Sequence, residues 1–127
     1  MEPLIIELTD STPAVYLDKT SGKFEISGKS LPEEALVFYE PVLNWIRSYL
    51  QTPNNSSIFV FRMDYINSAS VRSLNDILTL LEKMFLMGYD IRVDWMYNMD
   101  DNELRETGEE FSEIFKVPFR LEGYIEN

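Results

Sequence analysis

The sequence contains no cysteine and no histidine. Without cysteine there is no disulfide framework, no thiolate metal site and no thiol redox chemistry. Without histidine the chain lacks the one side chain whose unperturbed pKa lies near neutrality, and the commonest transition-metal ligand. Ser-His-Asp and Cys-His catalysis and His-rich zinc sites are thereby excluded. The five glycines, 22, 28, 88, 108 and 123, stand apart, so there is no Gly-rich phosphate loop and no support for autonomous nucleotide binding. No cofactor is called for. No stretch approaches the roughly 20 apolar residues of a membrane span. Met1-Glu2-Pro3 lacks a basic region ahead of an apolar run. A cytoplasmic protein with no membrane association is expected. Basic residues are also scarce: 11 against 22 acidic ones, a net charge of −11. Such a field repels phosphate backbones and anionic lipid, so nucleic acid is not an expected partner, whereas a protein with a basic face is.

What is present suits a packed domain. With 127 residues and 8 Phe, 7 Tyr and 2 Trp, the chain can bury one sizeable core, and residues 1–127 read as one domain without linker or repeat. Leu4 to Leu8 predicts a first strand. Ala14 to Asp18 and Lys23 to Ser27 alternate around the turn pair Ser21-Gly22 and predict a hairpin. Ser30 with Glu33 fits a capping box, and Phe38, Val42, Trp45, Ile46 and Tyr49 recur at helical spacing. Pro41 inside that pattern predicts a kink, or a second helix starting near Tyr39. Ile58 to Met63, nearly all apolar, reads as a central strand buried on both faces. Asn67 or Ser68 can cap a helix whose stripe is Val71, Leu74, Ile77, Leu78, Leu81, Met84 and Phe85, stopped at Gly88. Ile91 to Tyr97 alternates as a strand, a helix follows from Asp100 to about Phe115, and a short strand closes at Phe119 to Leu121. The expected fold is α/β: a mixed sheet with an N-terminal hairpin, later parallel strands and packed helices.

Three features could carry chemistry. Asp64-Tyr65-Ile66-Asn67-Ser68-Ala69-Ser70 leaves the central strand at its C-terminal end, where open α/β sheets carry their sites. Hydroxyls there sit over the first turn of a helix, whose free N–H groups favour an added phosphate. On spacing alone, simple capping by Asn67, Ser68 and Ser70 is the plainer reading. The acidic stretch Asp100, Asp101, Glu103, Glu106, Glu109 and Glu110 could hold a hard cation loosely, with Glu103, Glu106 and Glu110 close together on a helix, but it reads more simply as a solvated face. The aromatics Phe38, Tyr39, Trp45, Tyr49, Trp95 and Tyr97 lie mostly at periodic positions and read as core.

Five stretches in order carry a further signal. They are Phe24-Glu25-Ile26-Ser27-Gly28-Lys29-Ser30 with Pro32-Glu33, then Phe38-Tyr39-x-Pro41-Val42-x-x-Trp45, then Tyr65-Ile66-Asn67-Ser68-Ala69-Ser70. Val93-Asp94-Trp95-Met96-Tyr97 and Gly108-Glu109-Glu110-Phe111 complete the set. Together they resemble the SiaC family of bacterial regulatory phosphoproteins over nearly the whole chain. The resemblance implies a fold similar to the STAS domains of anti-sigma-factor antagonists such as SpoIIAA, and a non-enzymatic protein. It implies phosphorylation by a serine/threonine kinase of the anti-sigma-factor type and dephosphorylation by a PP2C-like phosphatase. In the family's namesake the unphosphorylated form binds and activates a diguanylate cyclase. The family acceptor, the hydroxyl residue directly after the Asn of Tyr-x-Asn, falls on Ser68. Ser stands where the family has Thr, and Ala69 where a further hydroxyl is common; Ser70 is the alternative acceptor.

The expected function is therefore a phosphorylation-controlled switch. Its docking surface comprises Tyr65, Asn67, Ser68 and Ser70 with the adjacent Ser27-Gly28 edge. The alternatives are a constitutive interaction module, an anti-sigma-factor-antagonist-like regulator of transcription, and a cation-dependent hydrolase using Asp100, Asp101 and Glu103.

Overall fold

A computed structural model describes residues 1–126; Asn127, the last residue of the expected domain, lies outside the described residues. The elements run β1 (Leu4–Ile6), β2 (Ala14–Asp18), β3 (Lys23–Ser30), α1 (Ala35–Tyr49), β4 (Ser56–Ile66), α2 (Ser68–Leu86), β5 (Asp90–Asn98), α3 (Asn102–Ile114) and β6 (Phe119–Tyr124). They form a six-stranded sheet in the order β1-β2-β3-β4-β5-β6, the first two pairings antiparallel and the last three parallel. The hairpin joining β2 and β3 turns at Gly22, whose φ of 75° is a left-handed value that glycine adopts without steric cost.

From β3 onward every crossover steps the same way along the sheet. Right-handed connections then place α1, α2 and α3 on one face. The burial pattern follows: Phe24, Ile26, Phe59, Phe61, Met63, Ile91, Val93 and Trp95 are buried under the helices, while Glu25, Val60, Arg62 and Asp94 alternate onto the other, open face. There Arg92 pairs with Asp94 at 2.8 Å, Arg120 pairs with Glu122 at 3.1 Å, and Arg62 lies 4.2 Å from the centre of the Tyr124 ring.

The core is held by interlocked aromatics. Phe24 stacks on Phe59 at 4.5 Å, Trp45 on Tyr49 at 5.3 Å, and Trp95 meets Phe111 edge-on at 5.6 Å. Gly108 is where α3 approaches β5: a Cβ there would lie 2.6 Å from Trp95 Nε1 and 2.8 Å from Leu121 Cδ2, so only glycine fits without a shift. The indole N–H of Trp95 meanwhile donates to the Leu104 carbonyl at 2.9 Å, satisfying a buried donor.

Several local expectations are corrected. The capping box does not form, because Ser30 is the last residue of β3 and α1 begins after Glu34, which gives no side-chain cap. Of the two alternatives at Pro41, a second helix starting near Tyr39 is not formed, since α1 runs unbroken through it. Pro41 lies on the exposed side, where the Val37 carbonyl that loses its i+4 donor can turn to water. β4 is longer than Ile58 to Met63 and is buried on one face only, with Ile58 41% exposed. β6 extends past Leu121 to Tyr124, and β1 stops at Ile6.

Candidate functional site

The strand-to-helix turn after β4 is built around one carbonyl. Ser30 O, at the end of β3, accepts the Asn67 backbone N–H at 3.0 Å and the Ser70 hydroxyl at 3.1 Å. Asn67 caps α2, its Oδ1 accepting from the Ser70 N–H at 2.8 Å, while its carbonyl accepts from the Val71 N–H at 3.1 Å. Of the two capping candidates, Asn67 does the work and the Ser68 hydroxyl is not needed for it.

The two serines consequently differ. Ser70 is fully buried, and its hydroxyl belongs to a chain in which Ser30 Oγ donates to Ser70 Oγ at 2.7 Å and bonds the Tyr39 hydroxyl at 2.6 Å. Burial pushes the Tyr39 phenol above its ordinary pKa, with the Ser30 and Ser70 hydrogen bonds pulling it back. In this conformation Ser70 is closed to solvent. Ser68, the first residue of α2, is exposed. Helix geometry leaves the N–H groups of Ser68 and Ala69 without intrahelical acceptors, and an anion on Ser68 would lie at the positive end of α2. Arg72 follows four residues later on the same exposed side, within reach of such an anion. Neither the Ser30–Tyr39–Ser70 chain nor Arg72 figured in the sequence reading, because Ser30 resembled a helix cap and Arg72 an ordinary surface charge.

The remaining candidate residues are spread over separate surfaces. Tyr65 is 47% exposed beside the turn and, with Ile66, lines a small hollow against α3. Ser27 and Gly28 do not share a cavity with Ser68; they line a hollow of about 330 Å³ on the open face with Glu25, Arg62 and Tyr124. Gly28 has a φ of 113° at a register shift between β3 and β4, and a Cβ there would meet Leu8 Cδ1 at 2.5 Å. Asp100, Asp101 and Glu103 border a cleft of about 710 Å³ with Lys29 and Asp64, in which Asp101 serves as the cap of α3, accepting from the Leu104 N–H at 3.0 Å. Glu109 pairs with Arg105 at 3.4 Å. Among the described residues, no three acidic side chains converge as a metal site requires. The aromatics Tyr39, Trp45, Tyr49 and Trp95 are buried in the core, with Phe38 and Tyr97 packed against it.

Residues 6–124 match the sequence pattern of the SiaC family of regulatory phosphoproteins. The chain belongs to that family. An uncharacterised protein of Pseudomonas aeruginosa strain UCBPP-PA14 is 30% identical over 126 residues, spanning 99% of this chain and all of the relative. Among solved structures, apo-SiaC from Pseudomonas aeruginosa superimposes with a TM-score of 0.90 at 30% identity, covering 97% of this chain and 100% of that one. A similar match, TM-score 0.88 at 30% identity over 95% and 99% of the two chains, comes from a crystal structure of the diguanylate cyclase SiaD in complex with its activator SiaC. The SiaC structures share the mixed sheet and three helices described above. No helix among the described residues is long and apolar enough to cross a membrane.

Proposed function

We propose that this SiaC-family protein is a non-enzymatic switch whose Ser68 is reversibly phosphorylated, and that its unphosphorylated form docks and regulates a diguanylate cyclase. The kinase is a serine/threonine kinase of the anti-sigma-factor type and the phosphatase is PP2C-like, as the family resemblance implies. One observation carries the reading: Ser68 is exposed at the start of α2, at the C-terminal end of a central strand, while Asn67 supplies the cap. A hydroxyl so placed is open to a kinase. Its phosphate would be held by the N–H groups of Ser68 and Ala69 and by the end of the helix dipole. Phosphorylation adds a charge of about −1.5 to −2 and the desolvation cost of a strongly hydrated group, which opposes docking on that surface. The cyclase assignment draws support from the SiaD–SiaC complex, whose SiaC shares this fold.

The test is calorimetric titration of the source organism's SiaD-like cyclase with the wild type, Ser68→Ala and Ser68→Asp. Retained binding by Ser68→Ala with weakened binding by Ser68→Asp is the expected pattern. Equal binding by both variants would mean a constitutive module, and no binding by the wild type would remove the cyclase from the proposal.

A further inference from the structure

The two edges of the sheet are finished differently. β1, at one edge, is three residues long and directly follows Pro3. A short edge and a proline both discourage a further strand. β6, at the other edge, runs six residues, Phe119–Tyr124, without proline or bulge, and among the described residues β5 is its only neighbour. Charge of one sign would protect such an edge, but β6 carries one of each, Arg120 and Glu122, two residues apart on the open face.

The backbone groups that β6 leaves free follow from its pairing. The Pro118 carbonyl accepts from the Val93 N–H at 2.9 Å and the Tyr124 carbonyl from the Met99 N–H at 2.8 Å, so the even-numbered residues turn their backbone groups toward β5. By alternation along the strand, the N–H and C=O groups of Phe119, Leu121 and Gly123 point outward, where no strand lies among the described residues. A second, antiparallel β6 can set outward residue against outward residue in three central registers. One centred on Arg120 opposes two guanidiniums, and one centred on Glu122 opposes two carboxylates; like charges directly opposite are destabilising. The register centred on Leu121 instead sets Arg120 against Glu122 of the second copy twice over, at the non-hydrogen-bonded positions where side chains approach most closely. It also brings Leu121, 37% exposed, against its own copy and Phe119 over Gly123, an aromatic covering a strand glycine.

We propose that β6 is a self-association edge, at which two copies pair antiparallel about a twofold axis through Leu121 and join their six-stranded sheets into one. The occupant is a second copy because the charge order of β6 complements its own reverse: Arg-x-Glu read backwards is Glu-x-Arg. The contact is isologous, so one pair of side chains serves both halves of it. With Leu121 of both copies on the same side, the helices of both line one face of the joined sheet. The Arg120–Glu122 contact within a single strand, at 3.1 Å between half-exposed side chains, is given up or shared at little cost. The association uses neither Ser68 nor a cyclase, and stands or falls independently of the proposed function.

Light scattering over a concentration series from about 1 μM to about 1 mM reads the mass of the wild type, Arg120→Glu and Glu122→Arg, and of an equimolar mixture of the two variants. Circular dichroism confirms that each is folded. The wild type is expected to pass from monomer to dimer across the series, and each variant alone, which faces like charges, to need at least about tenfold more protein for the same transition. The mixture restores association as a heterodimer, since every charge again meets its opposite. Mixing would not cure a defect of folding, so the rescue reads strand pairing itself. A wild type monomeric throughout, a dimer undisturbed by either charge reversal, or a mixture that associates no better than its components would each overturn the proposal.

Discussion

The buried hydroxyl chain beneath Ser68 makes a quantitative prediction. Ser30 Oγ serves two neighbours, the Tyr39 hydroxyl at 2.6 Å and Ser70 Oγ at 2.7 Å. Ser30→Ala removes both bonds and leaves the phenol of a fully buried tyrosine without its Ser30 partner. An orphaned buried hydroxyl costs about 1–3 kcal/mol, and each lost bond about 1 kcal/mol net. Ser70 keeps its donation to the Ser30 carbonyl, which limits the loss on that side. The expected destabilisation is about 2–4 kcal/mol. Tyr39→Phe alone removes one neutral bond while Ser30 still has Ser70, and should cost about 1 kcal/mol. In the double variant no phenol is stranded, so the two costs do not add, and a coupling of about 1–2 kcal/mol is expected. Urea denaturation followed by the fluorescence of Trp45 and Trp95, both buried in the core, measures all three. Additivity within about 0.5 kcal/mol would refute the shared network.

The same phenol predicts a pH dependence. Its raised pKa means that the unfolded chain releases the proton first, so stability is fully present below the ordinary tyrosine value of about 10 and falls as pH rises through the folded value. Tyr39→Phe should flatten that fall in alkaline urea titrations, and an unchanged slope would contradict it. Gly108→Ala should cost about 1–3 kcal/mol, because its Cβ would press on Trp95 and Leu121; a neutral thermal midpoint would show that α3 can shift freely. Asn67→Ala should destabilise by about 1 kcal/mol and Ser68→Ala by less than about 0.5 kcal/mol in the same denaturation assay. The reverse ranking would make Ser68 the cap.

Legibility in the sequence followed the strength of local signals. The hairpin was readable because Ser21-Gly22 offers the turn its backbone needs, and α2 because Leu74, Ile77, Leu78, Leu81 and Met84 form an uninterrupted stripe, all fully buried. In the sequence β4 looks two-sided because Ile58 and Val60 are apolar by composition. Burial depends instead on where the crossovers lie, and these all fall on the face of Phe59, Phe61 and Met63. Ser30 shows the limit more sharply. Ser-x-x-Glu looks like a helix cap from neighbours alone, but the hydroxyl is claimed by Tyr39 and Ser70, the latter 40 residues away. At the site, residue types marked the turn and the family pattern marked Ser68. The difference in exposure between Ser68 and Ser70 and the division of Ser27-Gly28 onto another face are products of tertiary packing, with no local signature.

The central claim is that Ser68 is the regulated hydroxyl. Incubation of the chain with its cognate kinase and ATP, followed by peptide mass spectrometry and titration of the phosphorylated product against the cyclase, tests it directly. The account predicts a single phosphate on Ser68, absent in Ser68→Ala, and loss of cyclase binding once it is attached. Phosphate on another residue with Ser68 unmodified, or undiminished binding by the Ser68-phosphorylated chain, would contradict it.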